Sequence, residues 1–179
     1  MRTLPLNGIL TSLATNYNRR NKNVHLYEMA NVYLPKSLPL TELPDERMTL
    51  TLGFYGDGDF YDMKGVIEEL FNTMGMDEKP VYDAEAGRPY LHPGRQADIY
   101  YQGRYVGYLG EVHPLVRNNY GLGDRTYIGV IDMPVIYELA SFDRKYTGIT
   151  NFPASTRDLS LLVPKTMEVG KLEEIFEKE

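Results

Sequence analysis

Residues 91–114, LHPGRQADIYYQGRYVGYLGEVHP, hold two strand-like runs, Ala97 to Tyr101 and Arg104 to Val112, joined by Gln102-Gly103. A two-residue connection with Gly in second place supplies the positive φ that a tight hairpin turn requires. This stretch therefore predicts an antiparallel pair and makes the chain a sheet protein with local strand pairing. Tyr100, Tyr101, Tyr105 and Tyr108 read as cross-strand aromatic pairs. As an RNA-stacking platform they would need basic surroundings, which the sequence does not supply.

Working toward the N-terminus, DGDFYDMKGVIEELFNTMGM (57–76) carries the clearest helix. Phe60, Met63, Val66, Ile67, Leu70, Phe71 and Met74 form one apolar stripe, with Asp59 as N-cap and Gly75 just past the end. MTLTLGFYG (48–56) alternates as a central strand, and residues 35–47, with three prolines, read as a loop. VHLYEMANVYL (24–34) breaks its alternation near Met29 and predicts two strands joined by a tight turn. Leu4, Ile9, Leu10, Leu13 and Tyr17 predict a first helix over 4–17.

Toward the C-terminus, Pro114 to Gly121 predicts a short helix, TYIGVIDM (126–133) a strand, and PVIYELA (134–140) a helix entered through Pro134. The expected fold class is α+β, an antiparallel sheet with helices packed on one side. Residues 1–140 form its main domain and 141–151 a linker. Residues 152–179 give a strand (RDLSLLV, 157–163) and an amphipathic helix (VGKLEEIFEKE, 169–179), the start of a second domain.

The 179 residues suffice for one substantial core, and 42% hydrophobic with 25% charged residues is the globular average. The longest apolar runs are too short to cross a bilayer, and polar residues interrupt any signal-type segment at the N-terminus. Cysteine is absent, which removes disulfides, thiolate nucleophiles and zinc fingers, and a cytoplasmic protein is expected. With a net charge of −6 and scattered Lys and Arg, autonomous nucleic-acid binding is not expected.

His92 and His113, with Asp98 and Glu111, contain metal-ligand types, but the histidines are 21 residues apart and lack helical i, i+4 spacing. Each precedes a proline and reads instead as an element boundary. YGLGDR (120–125) has the glycines of a phosphate loop without the strand before it and helix after it, so it reads as a helix stop and turn. No Gly-x-Ser-x-Gly elbow supports serine chemistry.

Taken together, MRTLPLNGILTSLATNYNRR, LYEMANVY, DFYDMKGVIEELF, LHPGRQADIYYQGRYVGYLGEVHP and FPASTRDLSLLV resemble, in order and spacing, the C-terminal part of the β subunit of bacterial phenylalanine–tRNA ligase. A departure is Asn7, where that family has proline. The resemblance implies a non-catalytic domain of class II synthetase fold over most of the chain. From Phe152 it implies the first strand and helix of a truncated ferredoxin-like anticodon-binding domain. It further implies a cytoplasmic α2β2 heterotetramer that aminoacylates tRNA(Phe) with ATP and Mg at the α subunit. No cofactor, metal or catalytic residue is expected in this chain, and no membrane partner.

The resemblance also implies a degenerate pocket. The arginine that holds the ATP α-phosphate in the α subunit is replaced by Leu34. Tyr90, His92 and Gly94 stand in the run that clamps the amino acid, Tyr108 and Leu109 stand where space would be, and Met133 lies where a second phosphate-binding arginine is expected. Without those guanidinium groups, charge developing in phosphoryl transfer goes unneutralised. The competing expectation is a degenerate synthetase-like small-molecule sensor.

Overall fold

The computed structural model describes residues 1–143, 146, 148, 152–153, 155–165 and 167–177. The chain divides into two compact units, residues 1–144 and 145–179. The first is built on one six-stranded antiparallel sheet in the order β1-β2-β6-β5-β4-β3. Its strands are β1 (Val24–Leu34), β2 (Asp45–Tyr55), β3 (Val81–Asp83), β4 (Leu91–Tyr101), β5 (Arg104–Val112) and β6 (Thr126–Asp132).

Helices flank the sheet on both faces, and not on the one side that the order of elements alone predicts. Helix α1 (Leu6–Asn18) lays Leu6, Ile9, Leu10, Leu13 and Ala14 on one face, with Val24, Tyr55, Tyr108, Ile128 and Val130. On the other, α2 (Phe60–Thr73) and α4 (Met133–Leu139) bury Met63, Ile67, Phe71 and Ile136 against Leu50, Phe54, Leu109 and Ile131. The second layer was hidden because the α1 stripe faces strand residues far away in sequence. A Cβ at Gly129 would stand 3.0 Å from Ile67, so α2 sits directly on the β6 backbone.

Local predictions meet their expected chemistry at several points. Asp59 Oδ1 accepts from the N–H groups of Tyr61 (2.7 Å) and Asp62 (3.1 Å), while Asp62 Oδ2 accepts from the Asp59 N–H, a complete capping box. Gly75 follows the helix with φ +70, and Gln102-Gly103 turns with φ 49 and 74. Helix α3 (Pro114–Asn119) starts on His113, whose Nδ1 accepts from the Leu115 N–H, and gives way to Gly121 at φ +71.

Other expectations are corrected. VHLYEMANVYL is one unbroken strand, paired from Val24↔Tyr55 to Leu34↔Asp45. Val24, Leu26 and Val32 keep the inward period of two, and Met29 belongs to the exposed parity. The loop before β2 ends at residue 44, so Asp45 to Arg47 are strand. The short β3 went unseen in the sequence, three residues being too few to show a period.

His92-Pro93 lies inside β4, in an irregular section between Leu91 and Gln96, and does not mark its boundary. In the second unit, residues 157–163 form no strand, and Leu159, Leu161 and Leu162 are exposed. Among the described residues no neighbouring strand offers them hydrogen bonds. The helix there is α5 (Val169–Glu177). Of the expected linker, residues 144, 145, 147 and 149–151 lie outside the described residues.

Candidate functional site

The site begins with an irregularity in the hairpin. Ile99 pairs with Gly107 and Tyr100 with Tyr105, so β5 carries one extra residue, Val106. This bulge inverts the alternation. Val106 and Leu109 enter the core under α2, whereas Tyr105 and Tyr108 point to the opposite face. Glycine is required at 107, where a Cβ would stand 2.2 Å from the Val130 carbonyl oxygen.

On that face lies a cavity of about 250 Å³. Thr3, Leu4 and Pro5 form one rim, held there because Arg2 donates to the Asn31 carbonyl (3.1 Å) and to Glu28 (2.8 Å). Leu34, Tyr90 and Tyr108 line it, and so do Arg47, Arg88 and Asp132. Of the expected pocket positions, Leu34, Tyr90 and Tyr108 are brought together here. His92 and Gly94 are at the irregular start of β4, where His92 Nδ1 accepts from the Gly94 N–H (3.1 Å). Leu109 and Met133 lie in the core on the other side of the sheet, as the bulge and the start of α4 dictate, and do not line the cavity.

Sequence reasoning missed both arginines. Arg47 immediately precedes the alternating run that defined β2 and continues the parity of Thr49 and Thr51, a signal that could have found it. Arg88 comes from the turn before β4, which has no periodicity to read. Arg47 donates from Nε to Asp45 (3.0 Å) and from Nη1 to Asp132 (2.7 Å). Arg88 pairs with Asp98, donates to the Tyr105 hydroxyl (3.0 Å), and lies 4.0 Å above the Tyr108 ring centre.

Two buried polar atoms of this cavity lack a hydrogen-bond partner: the Tyr108 hydroxyl and Asp132 Oδ1. Tyr108 is only 7% exposed, and burial raises the pKa of its hydroxyl far above the usual range. The nearby Tyr90 hydroxyl acts in the same direction, without a hydrogen bond of acceptable geometry. Burial also pushes Tyr105 up to about 12, with Arg88 opposing it. The hydrogen bond to Asp45, then the charge of Asp132, raises the Arg47 pKa.

Both guanidinium groups are thus already held by carboxylates, and Leu34 and Met133 supply no replacement. These residues do not fit a nucleoside triphosphate with its magnesium ion. The acids considered as metal ligands are engaged too, Asp98 by Arg88 and Glu111 by Arg95 (2.9 Å). Among the described residues no three His, Asp or Glu side chains converge, and no helix is long and apolar enough to cross a membrane. An open depression of about 590 Å³ at the far end of α1 involves Tyr17, Arg20, Lys22, Asp57 and Asp124. There the His25 hydrogen bond holds the Asp57 carboxyl below its ordinary range.

Residues 1–133 match the family described as the phenylalanyl tRNA synthetase beta chain CLM domain. The chain is 38% identical over all 179 residues to a phenylalanine–tRNA ligase beta subunit from Clostridium acetobutylicum, and 34% identical to one from Thermotoga maritima over 99% of its length. It spans 22% and 23% of those relatives. Among solved structures, two of pyrrolysyl-tRNA synthetase from Desulfitobacterium hafniense share the fold, with TM-scores of 0.59 and 0.62. They are 12% and 11% identical, and each match covers 78% of this chain and 49% of the other.

Proposed function

Because this chain belongs to the family of phenylalanyl-tRNA synthetase β chain CLM domains, we propose that it is a non-catalytic structural part of a phenylalanine–tRNA ligase β subunit. It supports the ATP-dependent aminoacylation of tRNA(Phe) carried out by the α subunit. The observation that carries this reading is a synthetase-like sheet whose cavity arginines are neutralised from within, Arg47 by Asp45 and Asp132 and Arg88 by Asp98.

An adenylate-forming site needs cationic groups free to meet phosphate charge as it develops. Here a triphosphate would have to displace three carboxylates, and the Tyr108 ring fills space beneath Arg88. ATP and magnesium therefore act at the α subunit of an α2β2 assembly, and the class II frame of this chain serves packing. Its two covered faces give it the rigidity of a scaffold. In this reading residues 152–179 belong to the start of a ferredoxin-like anticodon-binding domain, whose first strand forms once neighbouring strands pair with it. Similarity to the Clostridium acetobutylicum relative through residue 179 supports this, as does the helix α5. The assembly works in the cytoplasm and meets tRNA(Phe) as a whole.

Sedimentation of this chain with purified phenylalanine–tRNA ligase α subunit tests the partnership. A stable complex is expected, and independent sedimentation of the two at micromolar concentration would refute it.

A further inference from the structure

We propose that the corner where α1 ends beside the turn 122–125 docks the phosphate backbone of double-stranded RNA, independently of base sequence. The scaffold reading gives the first unit no nucleic-acid contact, so this goes beyond it and does not depend on it.

The fold sorts charge in a way that the scattered sequence conceals. Asp and Glu number 25 in the chain, yet none occurs in residues 1–27 or 112–123. Those two stretches hold α1 and α3, which meet on one face of the sheet. Val116, Tyr120 and Leu122 pack with α1, and the Tyr120 hydroxyl donates to Asn7 Oδ1 (3.1 Å). The layer on the opposite face is acidic, with Asp62, Glu68 and Glu69 on α2 alone. Glu28, beside Gly8 at the start of α1, is paired with Arg2 (2.8 Å). The 13 residues of α1 thus give about 20 Å of helix whose own side chains carry no negative charge.

Cations gather at the far end of that layer. Arg47, Arg88, Arg95 and Arg104 each meet a carboxylate. Arg19, Arg20, Lys22 and Arg125 are exposed, and among the described residues no carboxylate lies within ion-pair distance of them. Arg20 and Lys22 line the depression of about 590 Å³ together with Asn21, Asn23 and Asp124, which places Arg125 in the same corner. Asp57 lines it too, and is engaged by His25 (3.0 Å). Positive charge therefore predominates here, in a chain whose net charge is −6. Guanidinium and ammonium groups beside asparagine amides are the donors that phosphate oxygens accept from. The two tyrosines of this layer are committed to packing, Tyr17 edge-on to Tyr55 (5.5 Å, 80°) and Tyr120 bonded to Asn7. Single strands are held by stacking their bases on aromatic rings, so the backbone of a duplex is the better fit.

The test is a fluorescence-anisotropy titration of the whole chain with an RNA duplex of about 16 base pairs, at salt concentrations from about 50 to about 200 mM. Four phosphate contacts give a slope of about −3.6 in log K against log salt, so affinity should fall about 150-fold over that range. Arg20→Gln combined with Lys22→Gln should reduce the fall to about tenfold. Both side chains are exposed, and circular dichroism verifies folding. Lys64→Gln, on α2, should leave affinity and salt dependence unchanged. A single strand of equal length should bind more weakly, and poly-L-glutamate at equal charge should not displace the duplex. The proposal is overturned if no duplex binds to about 100 µM chain at the lowest salt, if the double variant keeps the full salt dependence, or if the single strand binds as tightly. It is equally overturned if poly-L-glutamate displaces the duplex, which would mark an acidic polypeptide as the occupant. The scaffold reading is judged separately, by sedimentation with the α subunit.

Discussion

Tyr108 concentrates the physical tension of the site. Its ring supports Arg88 at 4.0 Å, yet its hydroxyl is buried without a partner. Tyr108→Phe keeps the ring and removes the unpaired group, so in ligand-free chain it should leave stability unchanged or raise it by up to about 1 kcal/mol. Urea unfolding checks this, and a clear loss of stability would show that the hydroxyl is satisfied. Tyr105 gives a pH signature. With its pKa raised from 10.0 to about 12, its neutral form is favoured by folding. That contribution is fully present below pH 10 and fades as pH rises from about 10 through about 12, because the unfolded tyrosine ionises first. The difference in tyrosinate absorbance between the native chain and Tyr105→Phe should titrate near 12.

At the scale of elements, sequence patterns were legible wherever the contacts that shape them were local. The cap Asp59 and the turn Gln102-Gly103 are visible in a few consecutive residues, and the structure contains both. Asp59→Ala should therefore cost about 1 kcal/mol, read from chemical denaturation. The β5 bulge was not legible. Tyr105, Val106, Gly107 and Tyr108 look like plain alternation, and only pairing with β4 reveals the extra residue. The resemblance, not the alternation, set Leu109 beside Tyr108, and as consecutive strand residues the two lie on opposite faces. Gly107→Ala should cost about 2 kcal/mol or more, since its Cβ would overlap the Val130 carbonyl. A stability loss well below that in the same assay would mean that β5 and β6 can move apart.

For the whole molecule, the antiparallel sheet followed from hairpin chemistry, but its strand order brings together residues that no local pattern connects. Arg47 and Asp132 are 85 residues apart and form an ion pair across β2 and β6. Of the positions named from the family resemblance, Leu34, Tyr90 and Tyr108 line the cavity, while Arg47 and Arg88, which also line it, were not among them. With both cores inside the first unit, residues 1–144 alone should unfold in a single cooperative transition, monitored by circular dichroism and intrinsic fluorescence together. Noncoincident transitions would reveal separate subdomains. The central claim is that a synthetase-like frame persists here without synthetase chemistry. Phenylalanine-dependent ATP–pyrophosphate exchange by the purified 179-residue chain tests it most directly. The account predicts exchange no higher than the protein-free background, and robust exchange from this chain alone would contradict it.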